Sequence, residues 1–318
     1  MINQKIVFLG TGGTIAGTAS NALDHTGYKA AQEGVYELLA VLPDLKVGVT
    51  AGRYVVEQVA QLDSKDMGFD VWAKLALRVA HFLAQQDVQG IVITHGTDTL
   101  EETAYFLQAL LAPTKPVVLT CAMRPSTALV PDGPQNLIDA VAVASASMAR
   151  GVTVVCAGAI YGAEDVQKIH PYRLNAFSAG DAGPIGFVEQ GLLRLMRDWP
   201  RGQVQPLVSE LADAAWPRVE IVMSYAGADG AVVRALLKAG VKGFVVAATG
   251  NGTVHQDLEA ALVLAMRQGV KVVRATRCAE GHLLPSLNDA LPAAPGLTPV
   301  KARIALMLVL MRAAQTGH

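Results

Sequence analysis

Residues 90–111 read "GIVITHGTDTLEETAYFLQALL". Ile91, Val92 and Ile93 run together without a polar break, which predicts a strand buried on both faces. After the polar turn "HGTDT", Thr99 and Glu102 have the spacing of a capping box, so a helix is expected from about residue 100 to 111. A buried strand passing through a short polar loop into a helix is the repeating unit of a parallel α/β sheet. The loop between them lies at the carboxyl end of a strand and at the positive end of a helix, where a ligand anion is favoured.

The same alternation extends in both directions. Strands are expected at residues 5–9, 46–50, 116–122 and 152–157, with helices at 66–86 and 136–149. The first helix has an apolar face of Val71, Leu75, Val79, Phe82 and Leu83, and the second one of Leu137, Ile138, Val141 and Met148. From about residue 191 to 217 the pattern degrades into "RDWPRGQVQP" and "AAWPR", which reads as a linker. Strands at 219–224, 243–248 and 270–275 then alternate with helices at 230–239, 255–267 and 298–313. The expected organisation is a larger mostly parallel, flavodoxin-like domain over residues 1–190, a linker over 191–216, and a smaller α/β domain over 217–318. Length agrees, since 318 residues exceed the usual size of a single core.

Composition excludes several functions. Hydrophobic residues make up 52% and charged residues 17%, and the apolar excess points to subunit interfaces as well as cores. The formal net charge of −1 lacks the basic excess of a nucleic-acid binder. No apolar run approaches the roughly 18 residues of a membrane span. The N-terminal "MINQKIVFLG" enters a strand directly and lacks the sections of a signal peptide, so a cytoplasmic location is expected. Cys121, Cys156 and Cys278 are far apart, and each follows an apolar run, so buried free thiols are expected. The seven histidines show no metal-ligand spacing, so no structural or catalytic metal is expected.

The second key loop is "GTGGTIAGTAS", residues 10–20, after the apolar run "IVFL". As a dinucleotide fingerprint it fails, because Ile15 stands at the third glycine site. As a P-loop it fails because Thr18 replaces the lysine after Gly17. The remaining reading is that flexible glycines present the Thr14 hydroxyl. That hydroxyl is a poor nucleophile without an activating partner, and as a turn residue it would bond its own backbone. Thr97 and Asp98 carry a comparable ambiguity. A hydroxyl beside a carboxylate binds an ammonium group or passes protons, yet both residues also suit a helix N-cap.

Together "TGGTIAG" and "HGTDTLEETA" resemble the two signatures of the bacterial-type L-asparaginase/glutaminase family. The resemblance continues through "AMRPST" (122–127), "DGPQNL" (132–137) and "GNG" (250–252), covering essentially the whole chain. It implies a double displacement on a side-chain amide, with no metal or cofactor. Thr14 matches the first threonine nucleophile, and Tyr28 the loop tyrosine that hydrogen-bonds it. Thr97 matches the second catalytic threonine. Lys168 matches the lysine that acts with Asp98 in proton transfer. For substrate, the resemblance implies Ser64 at the α-carboxylate, Asp98 at the α-ammonium, and Asn251 contributed across a subunit contact. It also implies a homotetramer of close dimers, with sites between the N-terminal domain of one subunit and the C-terminal domain of another.

Two positions depart from the pattern. Lys65 stands where well-known secreted members carry a substrate-contacting glutamine; it is expected to bind substrate, its cation favouring a carboxylate. The segment "CAEGHLLPSLND" is shorter than in those members, and Glu280 is a weak candidate for their neighbouring-subunit acid. The expected reaction is L-asparagine to L-aspartate and ammonia. The rivals are glutamine, D-asparagine or other amide hydrolysis, a non-catalytic amino-acid-binding regulator, and a nucleotide-binding enzyme. Residues 18–29 are expected to act as a lid, with Asp24 and His25 facing solvent.

Overall fold

The computed structural model describes residues 4–202, 211, 214–284, 286–287, 289–294 and 296–315. They belong to two compact units, Met1–Ala212 and Asp213–His318.

In the first unit β1 (Lys5–Gly12) is followed by α1 (Val35–Ala40), α2 (Pro43–Thr50) and β2 (Tyr54–Leu62). Then come α3 (Phe69–Leu83), β3 (Val88–Thr94), α4 (Leu100–Leu111), β4 (Pro116–Thr120), α5 (Gly133–Ala144) and β5 (Gly151–Cys156). Five short strands follow: β6 (Ala159–Gly162), β7 (Gln167–Lys168), β8 (Phe177–Ser178), β9 (Gly186–Glu189) and β10 (Leu192–Leu195). Eight strands form one sheet in the order β10-β9-β6-β5-β4-β3-β1-β2, while β7 and β8 pair separately.

The run β2-β1-β3-β4-β5 is parallel throughout, which is the flavodoxin-like order. Strand order reverses between β1 and β3, so a ligand crevice is expected beyond their carboxyl ends. Gly10 pairs with Thr94 in the register, and the Thr11 hydroxyl donates to the Thr94 carbonyl at 2.9 Å. The loops that leave these two strands therefore start side by side. Val7, Phe8, Leu9, Ile91, Val92 and Ile93 are all fully buried, as the continuous apolar runs predicted. Trp72 of α3 stacks on Phe106 of α4 at 4.9 Å between centroids, joining two helices of one layer.

Several expectations are corrected. Residues 46–50 are helical, within α2, because Pro43 at the first helical positions presets the helix and five apolar-leaning residues do not specify a strand. The strand lies at β2, whose Glu57, Gln58 and Gln61 obscure it because it is an edge strand only partly buried. The start of the expected linker, residues 192–195, is β10, antiparallel to β9. Four residues of hairpin strand are too short for periodicity to reveal. In α5 the buried side holds Asn136, Leu137, Ala140, Val143 and Ala144, whereas Ile138 and Met148 are exposed. Small residues let this helix lie close on the sheet. Cys121 and Cys156 are buried, but Cys278 is exposed, since the loop after its strand runs over the surface.

The second unit is a three-stranded parallel sheet, β11 (Val219–Met223), β12 (Gly243–Ala248) and β13 (Lys271–Thr276), in sequential order. It alternates with α6 (Ala231–Lys238), α7 (Gln256–Arg267) and α8 (Pro299–Gln315). Phe244, Val246, Val233, Leu258 and Leu262 centre its core.

Candidate active site

The loop after β1 begins with Gly13, whose φ of 83° lies in the left-handed region that suits glycine. A Cβ there would come within 2.3 Å of the Gly96 main chain. The two key loops thus touch backbone to backbone, and a side chain would separate them. Beyond Gly13 a single 3-10 turn, Thr14–Ala16, is closed by Gly17 N–H donating to the Thr14 carbonyl at 2.8 Å. This turn places Thr14 beyond the carboxyl end of β1, where it is almost fully buried.

Residues 18–29 fold back over it. Thr18 and Lys29 exchange two backbone hydrogen bonds of 2.9 Å and so close the stem of the loop. The Tyr28 ring packs on Gly17, where a Cβ would lie 2.9 Å from it. The Tyr28 hydroxyl is 2.7 Å from the Thr14 hydroxyl.

Across the crevice the Lys168 ammonium donates to the Thr97 hydroxyl at 2.8 Å and to Asp98 Oδ1 at 2.6 Å. Lys168 reaches this place from the two-residue strand β7, registered against Phe177 of β8. Its backbone N–H donates to Glu101 Oε2 at 2.6 Å, which ties β7 to the first turn of α4. The five predicted catalytic residues Thr14, Tyr28, Thr97, Asp98 and Lys168 all line one pocket of about 200 Å³. Its remaining walls are His25 and Thr26 of the overlying loop, Met123, Pro171 and Tyr172.

The expected substrate residues are placed differently. Ser64 is buried outside this lining, where its hydroxyl accepts the Asp98 backbone N–H at 3.2 Å. The Thr99 hydroxyl donates to the Ser64 carbonyl at 2.7 Å instead of capping α4, so the expected capping box gives way to a loop tether. Lys65 is 62% exposed, its ammonium held by Asp63 at 2.8 Å and Asp66 at 3.4 Å, which raises its pKa. It is not among the pocket residues. Asn251 belongs to the second unit, where its amide both donates to the Leu284 carbonyl (3.1 Å) and accepts the Leu284 N–H (2.8 Å).

A buried polar chain supports the Thr97 loop. The His95 ring contacts the Gly96 carbonyl through Nδ1 at 2.7 Å and the Thr103 hydroxyl through Nε2 at 2.9 Å. The Trp72 indole N–H donates to that same hydroxyl at 2.9 Å. Burial pushes the His95 pKa down to about 4, so the ring is neutral at pH 7. A carbonyl only accepts, so Nδ1 carries the proton and Nε2 accepts from Thr103. Every donor in the chain then has an acceptor.

Sequence reading missed Met123, Pro171 and Tyr172, and gave His25 to solvent. Signals for Met123 exist in "AMRPST" and "DGPQNL". Asp132 accepts the backbone N–H groups of Met123 and Arg124, each at 2.9 Å. Asn136 joins the ends of β4 and β5, donating to the Cys121 carbonyl and accepting from Ala157 N–H, both at 2.9 Å. The acidic and amide residues of the second motif thus hold the first in place. Among the described residues no group of three or more His, Cys, Asp or Glu side chains is arranged to hold a metal ion. None of the described helices is long and apolar enough to cross a membrane.

The family model described as "Asparaginase, N-terminal" matches residues 5–201, and that described as "Glutaminase/Asparaginase C-terminal domain" matches residues 218–316. The chain belongs to the asparaginase family. L-asparaginase 2 of Bacillus subtilis is 38% identical over 97% of this chain and 83% of its own length. L-asparaginase 2 of Escherichia coli is 38% identical over 96% and 88%. Glutaminase-asparaginase of Pseudomonas fluorescens is 36% identical over 97% and 86%. Among solved structures, a probable cytoplasmic L-asparaginase from Campylobacter jejuni superposes with a TM-score of 0.89 at 38% identity, covering 96% of this chain and 95% of that one. The asparaginase matches span both units, so the family assignment covers the β1–β3 crevice and the Asn251 loop alike.

Proposed function

We propose that this member of the family hydrolyses the side-chain amide of L-asparagine to L-aspartate and ammonia. One observation carries the reading: two threonine hydroxyls face one small pocket, each bonded to its own proton-handling partner, Thr14 to Tyr28 and Thr97 to Lys168, whose ammonium also bonds Asp98. A hydroxyl nucleophile needs such a partner, and a two-step displacement needs two activated oxygens.

In the first half-reaction the Thr14 oxygen attacks the amide carbon while its proton moves to the Tyr28 oxygen and the Tyr28 hydroxyl proton passes on to the departing amide nitrogen. The tetrahedral intermediate expels the nitrogen, which leaves with that proton as ammonia. A threonine ester remains. In the second half-reaction Thr97, polarised by Lys168 and Asp98, orients a water whose oxygen attacks the ester carbon. The C–O bond to Thr14 breaks, a proton of the attacking water passes to the Thr14 oxygen, and aspartate departs. Asp98, half-exposed at the pocket, takes the α-ammonium, and Ser64, outside the pocket lining, supports it by accepting the Asp98 backbone N–H. Lys65 is left out of the substrate set because its ammonium is already engaged by Asp63 and Asp66.

The reading extends to a homotetramer of close dimers in which Asn251 from one subunit completes the site of another. Exposed apolar side chains of the second unit, among them Met223, Tyr225, Leu264 and Leu287, support such contacts. A cytoplasmic location belongs to the same reading and is supported by the similarity to the probable cytoplasmic C. jejuni enzyme. Glutamine is the second substrate, suggested by the similarity to glutaminase-asparaginases. A panel of L-asparagine, L-glutamine, D-asparagine and simple carboxamides, assayed for ammonia, tests the proposal. The highest kcat/KM is expected for L-asparagine, and absence of ammonia from every amide would refute it.

A further inference from the structure

The loop of residues 18–29 is fastened unequally. Its stem is closed by the Thr18–Lys29 pair, and one flank is tied to a neighbouring strap. There the Ala19 N–H donates to the Thr127 hydroxyl (2.8 Å), the Leu129 N–H to the Ala22 carbonyl (3.1 Å), and the Ser126 N–H to the Gly17 carbonyl (2.9 Å). The tip is organised by Asp24, whose Oδ1 accepts the backbone N–H groups of Thr26 (2.9 Å) and Gly27 (2.7 Å). That turn shapes the tip without fixing it to the opposite wall.

One contact does reach the opposite wall. His25 Nδ1 lies 3.2 Å from the Tyr172 hydroxyl, and the two rings lie 6.4 Å apart at 32°. Tyr172 is held in turn by the His170 ring, whose Nδ1 accepts the N–H groups of Tyr172 and Arg173, each at 3.0 Å. This second loop follows directly from Lys168, and returns through Ile169 N–H donating to the Ala176 carbonyl at 2.8 Å. His25 is three residues from Tyr28, and Tyr172 is four from Lys168. Both rings line the pocket. The pair therefore bridges the loop that carries the partner of Thr14 and the loop that carries the partner of Thr97.

We propose that His25 and Tyr172 form a latch that holds residues 23–28 closed over the pocket and keeps Tyr28 on Thr14. They are positioning residues, acting through Tyr28, and the proposal rests on the function assigned to Tyr28 above. The closed loop confines the substrate, so loss of the latch weakens retention of the ground-state complex more than it slows the chemical step. A single net hydrogen bond corresponds to about two- to tenfold in the opening equilibrium.

The test uses the full chain and the variants Tyr172→Phe, which removes only the hydroxyl, His25→Ala, and their combination. Hydrogen exchange of the peptides covering residues 19–27 reads the latch directly and needs no activity. Exchange is expected to quicken about two- to tenfold in each single variant, with the double variant no faster than the faster single. KM for L-asparagine is expected to rise by a similar factor, with kcat changed less. Unchanged exchange in both single variants would overturn the latch, as would effects that multiply in the double variant. If the wild-type protein released no ammonia, the functional reading would fail while the exchange measurement still decided the latch.

Discussion

The Tyr28 hydroxyl stands 2.7 Å from the Thr14 hydroxyl although the two residues belong to different parts of the polypeptide path. Thr14 is fixed by a glycine turn at a strand end, and Tyr28 is delivered by a loop that folds back on its own stem. The second pair, Thr97 and Lys168, is separated by 71 residues and meets at 2.8 Å. Proton transfer over such distances requires no water between the groups.

Removing either partner's proton-handling group should slow turnover with little effect on the fold. Tyr28→Phe and Lys168→Met are each expected to lower kcat about 10²- to 10⁴-fold, the usual range for a positioned acid–base group. Steady-state ammonia release checks this, with circular dichroism to confirm folding. A variant that kept near-normal kcat would remove its residue from the mechanism.

Lys65 should matter little. Its ammonium lies in the solvent-exposed company of Asp63 and Asp66, where ion pairs contribute weakly. Lys65→Gln is expected to leave kcat/KM for L-asparagine within about threefold, a margin matching the weak coupling of exposed pairs. A tenfold or larger rise in KM would mean that the side chain turns into the site when substrate binds.

Acid should destabilise the first unit through His95. Burial holds its pKa at about 4, below the ordinary 6.5, so the folded state stays neutral while the unfolded chain takes up a proton. Stability is therefore complete above pH 6.5 and falls as pH drops towards 4, by about 3 kcal/mol in all. His95→Gln, which does not titrate, should show a shallower decline in urea-unfolding free energy over that window. Parallel declines in the two proteins would assign the acid sensitivity to other groups.

Much of this was legible in the sequence because the relevant signals are local. Continuous apolar runs marked β1 and β3, and the order of elements implied a sheet whose switch point lies beyond both. Thr14, Thr97 and Asp98 follow those strands, so their convergence could be read from topology. Tyr28 and Lys168 could not be read in this way. Their places depend on a loop closure and on a two-residue strand, neither of which has a periodicity, and only family resemblance pointed to them. Tyr172 and His25 were missed for a related reason. Their contact joins two irregular loops 147 residues apart, and nothing local in "LDHTGY" or "KIHPYR" announces it. The misread strand at 46–50 shows the converse, where a short apolar run fits helix and strand equally until Pro43 is weighed.

In the proposed mechanism Thr14 carries the acyl group. Rapid acid quench during turnover of L-asparagine, followed by peptide mapping with mass spectrometry, tests it directly. The account predicts an aspartyl ester on the peptide containing Thr14, absent from Thr14→Ala, whose ammonia release falls by several orders of magnitude. An adduct on Thr97 instead, or near-normal turnover by Thr14→Ala, would contradict it.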